Sequence, residues 1–168
     1  MLPDPLHPAI VHFPVVLAVL LPLAALLGLL AVRRGTAPRK AWGYVALVSF
    51  LLFAASFTAV RTGEEGEEAV EDVVREDVIH DHEEQGERLQ LMAGIAFLVF
   101  LAGFAGGTVG RIARPAALAA SLVMAYQAYL TGASGGELVY RHGAASAYVD
   151  GTATAGRSGL DRDRGRDD

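Results

Sequence analysis

Four long apolar runs, at about residues 9–32, 41–60, 89–109 and 115–133, constrain this chain more than any other feature, because none of them contains Asp, Glu, Lys or Arg. Roughly 20 apolar residues suffice to cross a bilayer as a helix. In lipid the backbone must satisfy its own hydrogen bonds, which leaves only helices or closed barrels, and these runs lack the alternation of barrel strands. The expected fold is all-α: a four-transmembrane-helix bundle over residues 6–149, with an outer amphipathic helix before the third span. The last run is the shortest and spans best if it extends through Thr131 to Ala133. Residues 150–168 are Gly, Thr, Ser, Arg and Asp without periodicity, and read as a disordered polar tail.

Composition narrows the chemistry. The net charge is −5, with the acids crowded between the second and third runs and in the tail, so there is no basic footprint for nucleic acid. Without cysteine there can be no disulfide, iron-sulfur cluster, thiolate zinc site or covalently attached c-type haem. Any metal must rest on His, carboxylate, Met or backbone. Residues 1–6 carry no Lys or Arg and include Asp4, and the run that follows is too long for a signal core, so the first span is expected to be retained.

Orientation follows from the connections. Arg33, Arg34, Arg39 and Lys40 follow the first run, and Arg111 and Arg114 lie between the third and fourth, with no acidic residue in either place. The connection from Arg61 to Arg88 is dominated by Asp and Glu. The positive-inside rule puts the basic loops in the cytoplasm and the acidic loop with both termini outside a cell membrane crossed several times. Small residues at Gly103, Gly106, Gly107 and Gly110, and at Ala116, Ala117, Ala119, Ala120 and Ser121, suggest close packing of the third and fourth spans. A homo-oligomer is compatible with such faces.

Within the acidic connection, Val70, Val73, Val74 and Val78 recur with a helical period, giving one apolar stripe on a charged helix. His82 follows Val78 by one turn and faces the bundle, whereas His80 points to water. After the fourth run, Gly135-Gly136 and the segment to Gly143 read as an ordered re-entry loop or a helix end. This topology puts all five histidines, His7, His12, His80, His82 and His142, on the outer side.

The elements His7-Pro8-x-x-Val11-His12-Phe13-Pro14, Thr62-Gly63 followed by acids, His82-Glu83, and Gly135-Gly136-x-Leu138-Val139-Tyr140-x-His142-Gly143 resemble the DUF2231 family of bacterial membrane proteins, over about residues 6–145. The resemblance implies a four-helix integral membrane domain. Relatives of this kind are found fused to Rieske or cytochrome c modules, which implies a redox partner protein of that type.

Imidazole is the usual ligand for haem iron, copper and zinc. The first functional expectation is therefore a b-type haem serving electron transfer, held by His12 and His82, with His7 and His142 as a second pair. Tyr140, Arg141, Arg61 and Arg88 stand on the same side and could meet propionates. The alternative is a copper, zinc or iron ion held by His7, His12, His82 and His142, with Glu83 or Glu68, for delivery or sensing. The plainest alternative makes His12 and His82 a structural plug for carbonyls freed by Pro14 and Pro22. Hydrolysis has little support, since no nucleophile motif surrounds Ser134, Ser146 or Thr131.

Reporter fusions at Gly35 and at Glu71 should read opposite sides of the membrane, cytoplasmic and extracytoplasmic. A cytoplasmic signal at Glu71 would invert the histidine face.

Overall fold

The computed structural model describes residues 6–148, and the segment expected to be a disordered tail lies outside them. Its elements are α1 (His7–Ile10), α2 (His12–Arg33), α3 (Pro38–Glu71), α4 (Glu76–Ala102) and α5 (Gly107–Tyr140), with no strand among the described residues. The long helices pack in a ring, α2 on α3, α3 on α4, α4 on α5 and α5 back on α2. Short connections between antiparallel neighbours give an up-down-up-down bundle.

Three segments are long and apolar enough to cross a membrane: His7–Arg33, Pro38–Glu71 and Gly107–Tyr140. Helix α4 differs because its first half, Glu76 to Arg88, is charged and its apolar half ends at Ala102, short of the Val109 expected from the run. The cause is local. The chain turns at residues 103–106, and Gly107, at φ +61°, takes a left-handed conformation that suits glycine. Residues 107–109 therefore open α5 instead of closing the third span.

At 1.5 Å per residue, the 34 residues of α3 and of α5 make rods of about 50 Å, longer than the roughly 30 Å hydrocarbon layer. Their excess projects at the acidic end. There the single amphipathic helix expected from the valine stripe is replaced by a hairpin: α3 runs on to Glu71, the chain turns, and α4 starts at Glu76. Val74 and Ile79 are buried with Leu138 and Ala144, and Val70 and Val78 pack against them, while Val73 is 45% exposed. The re-entry loop expected after residue 131 is also helical, since α5 continues through Gly135-Gly136 to Tyr140.

Size is distributed as lipid demands. Ala18, Ala25, Gly28, Ala93, Ala117 and Ser121 are buried between helices, whereas Val19, Leu23, Ile95, Leu98, Leu122 and Val123 face outward. Between lipid and protein there is little hydrophobic gain from burying leucine, so close approach of backbones over small residues holds the bundle.

The basic end is closed by two side chains that satisfy carbonyls at the end of α4 and in the turn that follows it. The Trp42 indole N–H donates to Phe100 O at 2.9 Å. Arg114, only 5% exposed, donates from Nε to Gly103 O at 2.9 Å and from Nη2 to Ala105 O at 2.8 Å. A cation at a helix C-terminus also meets the negative end of the macrodipole. Arg114 is thus a buried cap rather than the loop charge the sequence suggests. Gly103 is small because Trp42 lies on it: a Cβ there would sit 2.1 Å from the indole nitrogen.

Gly103→Ala should therefore displace Trp42 and lower stability by about 1–3 kcal/mol, the usual range for overpacking. Trp42 is the chain's one tryptophan, so its emission in detergent reports the change together with the thermal midpoint. An unshifted emission and midpoint would refute this packing.

Candidate functional site

Two imidazoles meet at the acidic end. The rings of His7 and His82 lie with centroids 6.1 Å apart at an interplanar angle of 81°. His7 comes from the single turn of α1, where Pro8 at the start of the helix needs no N–H partner. His82 comes from α4, one turn beyond the buried Ile79.

Each ring lies against a glycine. A Cβ at Gly63 on α3 would come within 3.2 Å of His7, and one at Gly135 on α5 within 3.0 Å of His82. These two glycines make room for the pair on opposite sides.

Hydrogen bonds fix which nitrogen of each ring is protonated. His7 Nδ1 is 2.9 Å from Ala59 O, an atom that can only accept, so Nδ1 carries the proton. The Thr62 hydroxyl, 3.3 Å from the same nitrogen, directs its own proton to Thr58 O or Ala59 O. His82 Nδ1 is 2.8 Å from Ser134 Oγ. Ser134 already donates to Thr131 O at 2.9 Å, so its oxygen accepts and His82 is the donor. In their neutral form both rings are therefore Nδ1–H tautomers, and neither Nε2 receives a hydrogen bond from the described residues. Hydrogen bonding of one ring nitrogen to a carbonyl or hydroxyl is the usual way a ligating histidine is oriented.

A polar ladder below His82 anchors its helix. Thr131 donates to Gln85 O at 3.0 Å and Gln127 Nε2 donates to Gln85 Oε1 at 2.9 Å, tying α4 to α5 one turn from the ring. Burial holds the His82 imidazole far below its ordinary range, at about 4, and a charge on His7 would push it the same way. Glu83, beside it in sequence, is raised by burial and by the neighbouring Glu67 carboxylate.

The pair expected from sequence, His12 with His82, is not the one the fold makes. Val11 separates α1 from α2 but keeps helical dihedrals, so His12, five residues after His7, lies roughly 140° around the axis from it and is exposed. It borders an outward-facing apolar groove of about 570 Å³ with Phe13, Val16, Leu51, Ala55 and Thr58. His7, assigned to the second pair, takes its place beside His82. His142 is exposed and does not join it, and Tyr140 is 89% exposed. Arg141 and Arg61 are held in ion pairs along their own helices, to Glu137 and Glu64, each at 2.9 Å. His80 is exposed, as its helix phase predicts, and lies 3.9 Å from Glu83. The carbonyl that receives a histidine is Ala59's on α3, not one freed by Pro14 or Pro22.

Sequence reasoning missed Gly63, Ser134 and Gly135 as site residues, although Thr62-Gly63 and Gly135-Gly136 stood among the recurring elements. Their signal was smallness opposite a histidine, which is readable only once the helices are paired.

A family model described as a predicted membrane protein, DUF2231, matches residues 3–147. The chain belongs to the DUF2231 family. No curated protein and no solved structure matches it. The DUF2231 assignment agrees with a multi-pass helical membrane protein, and the motif positions of this chain fall on the pair: His7, Thr62-Gly63, His82 and Gly135.

Because the native state holds His82 neutral while the unfolded chain titrates near 6.5, the unfolded state binds the extra proton between those values. Stability is then full above about pH 6.5 and falls as the pH drops toward about 4. His82→Asn should flatten that acid limb in thermal melts of the metal-free protein. An identical limb in the variant would assign the acid loss elsewhere.

Proposed function

We propose that this DUF2231 domain is a membrane metalloprotein in which His7 and His82 together hold a transition-metal centre at the extracytoplasmic end of the bundle, for delivery or sensing of the metal. The observation that supports this most directly is the pair itself: two adjacent neutral imidazoles, both fixed through Nδ1 and both with Nε2 uncommitted. The acidic hairpin around the pair, including Glu64, Glu65, Glu67 and Glu68, would raise the local cation concentration.

A b-type haem serving electron transfer, with a Rieske or cytochrome c type partner, is the second reading, favoured by ligand number. Haem iron brings four nitrogens of its own and needs two axial imidazoles. Space argues against it. The rings already touch edge to face, Gly63 and Gly135 press them from both sides, and neither the 570 Å³ groove nor the 340 Å³ cavity beside His7 is lined by both histidines. A macrocycle would have to part α1 from α4.

Metal content and absorption spectra of the detergent-purified chain test the proposal. His7→Ala and His82→Ala should each lose the bound metal, and the double variant should be no worse than either, as expected for two ligands of one ion. His12→Ala and His142→Ala should keep it. Metal retained in His82→Ala, or lost with His142→Ala, overturns the site. A Soret band that vanishes with the pair would decide for haem.

A further inference from the structure

The groove that His12 borders and the cavity beside His7 follow one another along α3. Leu51, Ala55 and Thr58 line the groove, and Thr62, Glu65 and Ala69 line the cavity. These positions recur every three or four residues, so they share one face of the helix. The facing wall comes from the first span, through Phe13 and Val16 at the groove and Leu6 and His7 at the cavity. We infer that this seam binds one phospholipid with an ethanolamine head, taken from the leaflet at the acidic end, independently of any metal at the histidine pair.

The inner part of the seam offers hydrocarbon. The Thr58 hydroxyl donates to Ala54 O at 3.0 Å, which turns it back on its own helix. Phe13, Val16 and Leu51 are exposed, so the groove opens on the lipid side, and Ala54 and Ala55 make the recess by being small. An unfilled recess forfeits the dispersion contacts of its lining. At this depth the material that fills it is an acyl chain.

Toward the acidic end the chemistry changes in the order of a phospholipid. The uncharged run closes at Val60, and Arg61 is the next residue. Its guanidinium lies over Phe57, 5.4 Å from the ring centroid, on the exposed flank of the same face. The Arg61 ion pair to Glu64 uses Nη1, is open to solvent and is therefore weak, leaving the other N–H groups for a phosphate. Glu65 follows one turn later, lines the 340 Å³ cavity, and has no ion pair among the described residues. From Arg61 to Glu65 the helix rises about 6 Å at 1.5 Å per residue, a reach matched to the two-carbon spacer between phosphate and ammonium.

Charge selects among heads. An ethanolamine ammonium donates hydrogen bonds to a carboxylate, and its charge cancels that of the phosphate held by Arg61. Choline has no N–H to give Glu65. A glycerol head offers it no cation and leaves a net negative charge beside Glu64 and Glu68.

The test is native mass spectrometry of the full chain released from nanodiscs with equal parts of phosphatidylethanolamine, phosphatidylcholine and phosphatidylglycerol. One phosphatidylethanolamine per chain is expected, preferred over each of the others about tenfold, the scale of a charge-assisted hydrogen bond. Glu65→Gln should erase that preference while a phospholipid still binds, and Arg61→Gln should weaken all three lipids. Ala55→Leu fills the recess and should release the lipid with helical circular dichroism unchanged. Leu122→Ala, on the outward face of α5, should alter nothing. Equal retention of the three lipids, or a preference that survives Glu65→Gln, makes the contact ordinary bilayer solvation and overturns the proposal. Retention in Ala55→Leu overturns it too, as does a lipid-free dimer, which would give the groove to a second copy of the chain.

Discussion

Carbonyls at the end of a helix need donors, and in lipid water cannot supply them. The close of α4 is therefore the constraint on which this bundle rests. Trp42 reaches it from α3 and Arg114 from α5, so three helices are pinned at one level by three hydrogen bonds. Once that level is fixed, the vertical register of α3, α4 and α5 is fixed as well. It is this register that brings Ala59, His82 and Ser134 to one height, 17 residues from Trp42, 18 from Phe100 and 20 from Arg114, about 25–30 Å away at 1.5 Å per residue.

The two ends of the molecule solve opposite problems. The basic end ties off backbone groups with Trp42 and Arg114. The acidic end satisfies backbone too, through His7 on Ala59 O, but leaves two imidazole nitrogens uncommitted. No buried side-chain nitrogen or oxygen lacks a partner among the described residues, so those two nitrogens are not sealed from solvent and stay open to water.

Much of the fold was legible in the sequence. Uncharged runs located the helices, the absence of acids beside Arg33 and Arg111 placed both basic turns at one end, and the phase of Val70, Val74 and Val78 placed His82 inward and His80 outward. What escaped depended on distances along the chain that no local pattern encodes. The third run reads as uninterrupted to Val109 because a turn made by glycines is as apolar as the helix it ends. Arg114 looks like loop charge because its partners are carbonyls, which leave no mark on side-chain chemistry. Depth in the apolar run favours His12 over His7, but the two stand five residues apart on a backbone that stays helical through Val11, roughly 140° around the axis, so that His7 meets the bundle and His12 is exposed.

Helix α1 holds four residues and none of them is buried, so it has little cohesion of its own. It carries one half of the pair, while the other half sits on α4, which is braced by α3 and α5. The backbone does not part from α2 at the junction: Val11 keeps helical dihedrals, φ −60° and ψ −21°, and its N–H bonds back to His7 O. One ring of the pair is thus carried on the leading edge of the first span, and the separation of the two rings is set by how that span leans on the rest of the bundle.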